Sequence, residues 1–471
     1  MAAAAHLAAQ PRVMVLPFLA QRHVIPLMEL SRKLVEHGLE IDFVNTEFNH
    51  GHVLQALAED GAIPGGVHTL SVPNGLGPAD DHTDIDVLVK GLPAAMSGHL
   101  EEMIRSRKTK WMIAVKEICH RGNNKIIIYF FIYHDKSLLF MLEFWAPELA
   151  TTAGVRVALF STYAAAVFAL GMNLPKVIGD SVVDESGNMK RHERVQLMPP
   201  TNVAEIPWAS LGSTLERRRT NIQNVLRTNQ LIPLTEKIIC NTFMEMEPGA
   251  LALLQNALPL SPLVAPTSRP TRHFLPEDLT CLAWLDAQAP GSIIYVAFGS
   301  SGVLDATQFQ ELADGLALSD RPFLWVVRPN FTTGATEGWF NAFKRHQHVL
   351  SHLAVTCFMS HCGWNSTMEG MLHGVPFLCW PYFADQFTNQ SYLCRDKRGV
   401  VAKEEIESKV ARLLGNEGFK VKEATWKDRA CASIAEGGSG SNYRGLQVLF
   451  STTVRSNILN KYNARGGGGG N

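Results

Sequence analysis

Apolar runs and helical periods alternate along most of the chain. RVMVLPF (12–18) is a short apolar run and predicts a buried strand. A turn, AQRH (20–23), leads into VIPLMELSRKLVEHG (24–38). There Leu27, Leu30 and Leu34 recur at helical spacing, and Gly38 is placed to cap the helix. LEIDFVN (39–45) is the next strand, so the start of the chain reads as a β-α-β unit, which implies a parallel sheet. VRVALFS (155–161) and KIICNTF (237–243) continue the pattern. Prolines then crowd LPLSPLVAPTSRPTRHFLP (258–276), which reads as a linker. Beyond it SIIYVAFGS (292–300) predicts a strand, FQELADGLAL (309–318) a helix and RPFLWVVRP (321–329) a strand. The expected organisation is an α/β chain with one domain over 1–257, the linker, a second domain over 277–455 and a disordered tail over 456–471 that ends in GGGGG. Two such domains hold a ligand in the cleft between them, at the C-terminal ends of the strands.

A length of 471 residues agrees with two cores rather than one. The chain is 46% hydrophobic and 18% charged with a net charge of −1, the composition of a soluble globular protein. That balance gives no electrostatic case for a nucleic acid or an anionic membrane as partner. The eight cysteines are scattered without a C-x-x-C pair, so buried reduced thiols are expected and zinc is not. MAAAAHLAAQ has neither the basic start nor the apolar core of a signal peptide, and the location expected is the cytoplasm. The most apolar stretch, KIIIYFFIYHDKSLLFMLEFW (125–145), is interrupted by His134, Asp135 and Lys136, and neither half is long enough to span a bilayer. Residues 115–147 also contrast in composition with the Ala-, Gly-, Leu- and Val-rich chain around them, and read as an insertion.

Several short motifs carry candidate chemistry. In SHCGWNSTMEG (360–370), Ser366 followed by Glu369 reads as a capping box, and Gly374 as the helix stop. The following run, VPFLCW (375–380), reads as a buried strand. A strand, a glycine turn and a helix N-terminus favour an anion, because free N–H groups and the helix dipole converge there; plain capping is the other reading. His23 follows the first strand at a helix N-terminus, where the dipole disfavours imidazolium and keeps a base neutral. A capping or merely exposed histidine is its alternative. Asp84-Ile85-Asp86 matches the D-x-D of some metal-dependent glycosyltransferases, but lies in DDHTDID, which reads as a solvated loop. Phe298-Gly299-Ser300 closes a strand with a tight turn whose N–H groups suit a phosphate. Asp385 and Gln386 follow Trp380-Pro381-Tyr382 and suit sugar hydroxyls, or simply cap the next helix.

Taken together, HVLSHLAVTCFMSHCGWNSTMEGMLHGVPFLCWPYFADQ (348–386) resembles the plant secondary-product glycosyltransferase box of the UDP-dependent family 1 glycosyltransferases. PFLAQRHVIPLMELSRKL, NTFMEMEPGAL, VAFGSSGVLDATQFQELADGL and FLWVVRP are also similar to that family, so the resemblance covers most of the chain. It implies the GT-B fold, two Rossmann-like domains facing a central cleft. It also implies inverting transfer of a sugar, glucose being expected, from a UDP-sugar to a small lipophilic acceptor. His23 matches the catalytic base. His361, Asn365 and Ser366 match groups that hold the diphosphate, with Ser300 beside them and Gly363 in the turn. Glu369 matches the residue that accepts from the ribose hydroxyls. Trp364, Asp385 and Gln386 match the sugar contacts. No metal or cofactor is expected, since the helix N-terminus meets the charge of the leaving UDP. A monomer is expected.

The chain also departs from the family pattern. Arg22 stands where the family has glycine, and Leu19 where it has proline. The family's W-x-I-A-D, whose Asp orients the catalytic His, reads WMIA and then Val115. Phe343 falls at the position of the tryptophan that stacks on uracil, in a stretch that reads as shortened, and a further segment is missing after Cys394. Past EGGSGS (436–441) the likeness ends. These departures keep open a catalytically impaired UDP-sugar-binding relative, or a damaged gene product.

Overall fold

The computed structural model describes residues 12–16, 21–48, 50, 51, 54, 65–77, 80, 95–104, 125–131, 145–152, 155–184, 194, 195, 201, 202, 215–260, 263, 280–299, 303–327, 349–382, 384–393, 401–435 and 437–441. Seven parallel strands form the first sheet: β1 (Arg12–Leu16), β2 (Glu40–Thr46), β3 (Val67–Val72), β4 (Lys125–Phe131), β5 (Arg156–Ser161), β8 (Lys237–Cys240) and β9 (Ala257–Pro259). Their spatial order is β3-β2-β1-β4-β5-β8-β9. β6 (Arg194–Val195) and β7 (Thr201–Asn202) make a separate antiparallel pair. The second sheet holds β10 (Ile293–Ala297), β11 (Phe323–Val326), β12 (Val355–Ser360) and β13 (Phe377–Cys379) in the order β11-β10-β12-β13, again parallel. In each sheet the order reverses direction at one place, between β1 and β4 in the first and between β10 and β12 in the second. A ligand crevice opens outside the carboxyl ends of the strands at such a reversal.

The predicted β-α-β start is present. Helix α1 (Gln21–Glu36) buries Leu27, Leu30 and Leu34 completely, and Gly38, at φ +83°, turns the chain into β2. The helix begins three residues earlier than the hydrophobic pattern predicts, so the expected turn over 20–23 is largely its first turn. Further helices are α2 (Trp145–Thr152), α3 (Ala165–Met172), α4 (Leu174–Gly179), α5 (Leu215–Leu231), α6 (Pro248–Leu253), α7 (Thr280–Asp286), α8 (Ala306–Leu318), α9 (Trp364–His373), α10 (Gln386–Leu393), α11 (Lys403–Leu414) and α12 (Glu417–Ile434). Asp305 caps α8 by accepting from Gln308 N at 2.9 Å. The expected linker starts later than composition suggests, because Leu258 and Pro259 belong to β9 and pair with β8.

The segment read as an insertion is corrected more sharply. Lys125–Phe131 is a central strand, registered against β1 on one side and β5 on the other. A slot between two parallel strands requires an apolar, β-branched run, and KIIIYFF supplies one whatever the composition around it. The expected disordered tail and the rest of 115–144 lie outside the described residues.

Two apolar clusters alternate along β10. Ile293, Tyr295 and Ala297 join a core that runs from Val157 and Leu159 of the first sheet to Trp364, Met368 and Phe377. Ile294, Val296 and Phe298 face Phe309, Leu312 and Met359 on the other side. The first cluster is continuous across both halves of the chain. Cys240, Cys281, Cys357 and Cys362 are buried free thiols. Among the described residues no helix is long and apolar enough to cross a membrane.

One buried charge makes stability depend on pH. Glu423 on α12 is 5% exposed, and its Oε2 has no hydrogen-bond partner. Burial raises its pKa from 4.5 to about 7, with Lys422 opposing. The folded chain therefore holds this proton more tightly than the unfolded one. Stability from this group is complete below about pH 4.5 and is lost as pH rises through about 7. Glu423→Gln is expected to raise Tm at pH 8 and leave it nearly unchanged at pH 4. Melting curves at both pH values check this, and equal shifts at the two would rule it out.

Candidate functional site

The second reversal point carries the candidate anion site. β12 ends at Ser360, three residues follow, and α9 starts at Trp364. The helix is not capped as its sequence predicts. Gly363 is the N-cap, at φ −62° and ψ 142°, and its carbonyl accepts from Thr367 N at 2.9 Å. Ser366 thus sits inside the first turn, and Ser366–Glu369 is not a capping box. The backbone closes the helix start without a side chain. At the other end the expected stop holds. Gly374, at φ +69°, adopts the left-handed conformation while Gly374 N reaches Met371 O and Val375 N reaches Gly370 O, a Schellman motif. The strand predicted over 375–380 is β13.

The N–H groups of Trp364, Asn365 and Ser366 precede the first intrahelical donor, Thr367 N, and project from the helix end, where the dipole is positive. His361 is wedged beside them. A Cβ built on Gly299, at the end of β10, would lie 2.5 Å from His361 Nε2, and one built on Gly363 would lie 2.4 Å from it. Glycine at both positions is what lets the imidazole fill the gap between the two strand ends. Cys362 is held in the left-handed region at φ +63°, a strained conformation for a residue with a side chain. Ser360 Oγ accepts from Cys362 N at 3.1 Å, and Asn389 Nδ2 donates to Cys362 O at 2.9 Å, so the strained turn is fixed from both sides.

Asn365 and Glu369 are four residues apart on α9 and therefore share a face. Trp364 is different. Its ring is 3% exposed, stands 6.0 Å from the Tyr392 ring, and donates from Nε1 to the carbonyl of Asn241 at 2.6 Å. What Trp364 can offer a ligand is its main-chain N–H rather than its indole. Asp385 directly precedes α10, and its Oδ2 accepts from Asn389 Nδ2 at 2.8 Å. Gln386 is buried, with Oε1 accepting from Tyr382 N at 2.7 Å. Both side chains thus have local partners as well as a place at the end of the second sheet.

At the first reversal point, His23 lies in the first turn of α1, beyond the carboxyl end of β1. Its side chain lies outside the described residues. So do Ser300, Asp84-Ile85-Asp86, Val115, Asp135, Phe343 and the stretch directly after Cys394. Among the described residues no group of His, Cys, Asp or Glu is arranged to hold a metal.

Sequence reasoning missed the groups that join the two halves at this site. Glu247 is 2% exposed and caps α3 from a distance: its Oε2 accepts from Ala165 N and its Oε1 from Ala166 N, both at 2.9 Å. Tyr392, on α10, donates its hydroxyl to Glu247 Oε1 at 2.8 Å. Burial pushes the Glu247 carboxyl up, and these donors pull it back. Burial likewise raises the Tyr392 hydroxyl well above its ordinary value. Asn241 and Glu247 lie in NTFMEMEPGAL, where polar residues directly after a buried strand were the available signal.

Comparison with known proteins agrees with this architecture. Residues 271–414 match the family model for UDP-glucoronosyl and UDP-glucosyl transferase. The chain is 35% identical to UDP-glycosyltransferase 83A1 of Arabidopsis thaliana, covering 90% of this chain and 94% of that protein. It is 30% identical to 7-deoxyloganetin glucosyltransferase of Gardenia jasminoides, covering 93% and 97%. Among solved structures, UGT2 of Phytolacca americana complexed with UDP-2fluoro-glucose and pterostilbene superposes with a TM-score of 0.70 at 24% identity, covering 94% of this chain and 99% of that one. Os79 of O. sativa in complex with UDP gives 0.71 at 22% identity, covering 93% and 100%. These structural likenesses bear on the fold, which is GT-B, and the sequence relatives bear on descent. The chain belongs to the plant family 1 UDP-glycosyltransferases, enzymes that transfer a sugar from a UDP-sugar.

Proposed function

We propose that this chain transfers a sugar, glucose in the simplest reading, from a UDP-sugar to a hydroxyl of a small lipophilic acceptor with inversion at the anomeric carbon. The observation that carries the donor half is the start of α9, an open helix N-terminus beside an imidazole wedged between two glycines. In this reading the N–H groups of the first turn, with His361, Asn365, Ser366 and Ser300, meet the diphosphate, and Glu369 accepts from the ribose hydroxyls. Asp385, Gln386 and the Trp364 main chain serve the sugar. His23 takes the proton of the acceptor hydroxyl as its oxygen attacks the anomeric carbon. The bond from that carbon to the diphosphate oxygen breaks, and UDP leaves with its charge met by the helix end, so the step calls for no metal. In the same reading the half built on the first sheet, through β9, takes the acceptor and the half built on the second sheet takes the UDP-sugar.

Glu369→Ala is expected to weaken UDP binding by about 1–3 kcal/mol through lost charge-assisted hydrogen bonds. Titration calorimetry with UDP measures it, and unchanged affinity would leave Glu369 without a role in the donor site. A second reading, UDP-sugar binding without turnover, is favoured by Val115 after WMIA, where the family places the Asp that orients the base. Incubation with UDP-glucose and a panel of phenols separates the two, since a binder saturates with UDP yet forms no glycoside.

A further inference from the structure

One residue of the first half makes two hydrogen bonds to the start of the donor-site helix. Asn241 follows β8 and is 5% exposed. Its N–H donates to Ser161 O at 3.0 Å, at the end of β5. Its carbonyl accepts from Trp364 Nε1 at 2.6 Å. Its side-chain Nδ2 donates to Asn365 Oδ1 at 3.3 Å. Asn241 is thus fixed on both main-chain sides, and its side-chain amide presents Nδ2 to Asn365.

We propose that Asn241 is a positioning residue for the donor site: by donating to Asn365 Oδ1 it sets which end of the Asn365 amide faces the ligand. An amide has an acceptor end and a donor end that are nearly the same shape. With Oδ1 held at the seam, Nδ2 is the end turned away from Asn241, and a diphosphate needs donors. The opposite orientation would set N–H against N–H at the seam and an oxygen against phosphate oxygens. This inference rests on the reading of Asn365 as a diphosphate contact, and adds that a residue of the acceptor half prepares it.

The test is a double-mutant cycle on the Kd for UDP, using Asn241→Ala, Asn365→Ala and the pair. Asn241→Ala alone is expected to raise Kd about 3- to 10-fold, the size of one neutral hydrogen bond. In the Asn365→Ala background the same change is expected to raise Kd less than about 2-fold, because the amide it orients is gone. KM for UDP-glucose should rise with the Kd, and KM for the acceptor should not. Melting without UDP checks folding. Should the alanine variant fold poorly, Asn241→Asp keeps the volume and the carbonyl that holds Trp364. It places acceptor against acceptor, so it should weaken UDP more than alanine does, and part of that loss should vanish without Asn365. The part that persists is the added charge. Equal effects of Asn241→Ala in both backgrounds would overturn the proposal alone. No effect of Asn365→Ala on UDP would overturn the underlying reading and the proposal with it.

Discussion

Replacing His23 by alanine is expected to lower sugar transfer by about 10²–10⁴-fold, the range for general-base catalysis, and to leave UDP binding unchanged. The separation follows from topology. His23 lies in α1, beyond β1 in the first sheet, whereas the residues proposed to hold the donor lie at and beyond the end of β12 in the second. On the proposed roles, a change at one crevice removes proton transfer without touching the anion site. In the proposed role the imidazole takes the acceptor's proton, so its loss acts on the chemical step alone. Initial rates with UDP-glucose and one accepted phenol, set beside UDP titration, give both numbers. Full turnover in His23→Ala would remove the base assignment, and a parallel loss of UDP affinity would indicate a damaged fold instead.

Ile128→Pro is expected to destabilise the chain by about 2 kcal/mol or more. Ile128 aligns with Val15 on one side and Ala158 on the other, so it stands in the middle of a seven-stranded parallel sheet. Proline removes a ladder donor and is confined to edge strands and bulges. The orphaned partner alone costs about 1–3 kcal/mol. For a domain of this size Tm should fall by about 4–8 °C, or soluble protein should be lost. Were residues 115–147 a surface insertion, the same substitution would cost no more than about 0.5 kcal/mol. Thermal melting of the variant decides between a core strand and a loop, and a shift below about 2 °C would favour the loop.

That strand marks where sequence reading succeeded and where it did not. Leu27, Leu30 and Leu34, and the runs that became β1, β2, β5, β8 and β10, were legible because a period of 3.6 or a short apolar run is a local property. KIIIYFF carried the same signal, but its contrast in composition suggested an insertion. A central strand position selects for apolar, β-branched residues and is indifferent to ancestry. The start of α9 was misread for the reverse reason. Ser366 and Glu369 have capping-box spacing, yet Gly363 and the Thr367 N–H had already closed the turn. The motif residues at the start of α9, from His361 to Glu369, were legible as a set because they are close in sequence. Their supports were not, because Asn241 meets Asn365 across 124 positions and Glu247 meets Tyr392 across 145, and no local pattern encodes such pairs.

The wedge at His361 has a consequence for which sequences can reach one another by single changes. Positions 299, 361 and 363 share one volume, so their substitutions are not independent. Alanine at 363 collides with the imidazole while His361 is present, yet Gly363 has an ordinary backbone at φ −62° and would accept a methyl group beside a smaller residue at 361. Gly299 differs, because at φ +66° it stays strained for any side chain even after the ring is gone. One glycine is therefore held by its neighbour and the other by its own backbone. A lineage that gives up the histidine can drift at 363 and not at 299, and once alanine is established at 363 the way back to histidine is closed.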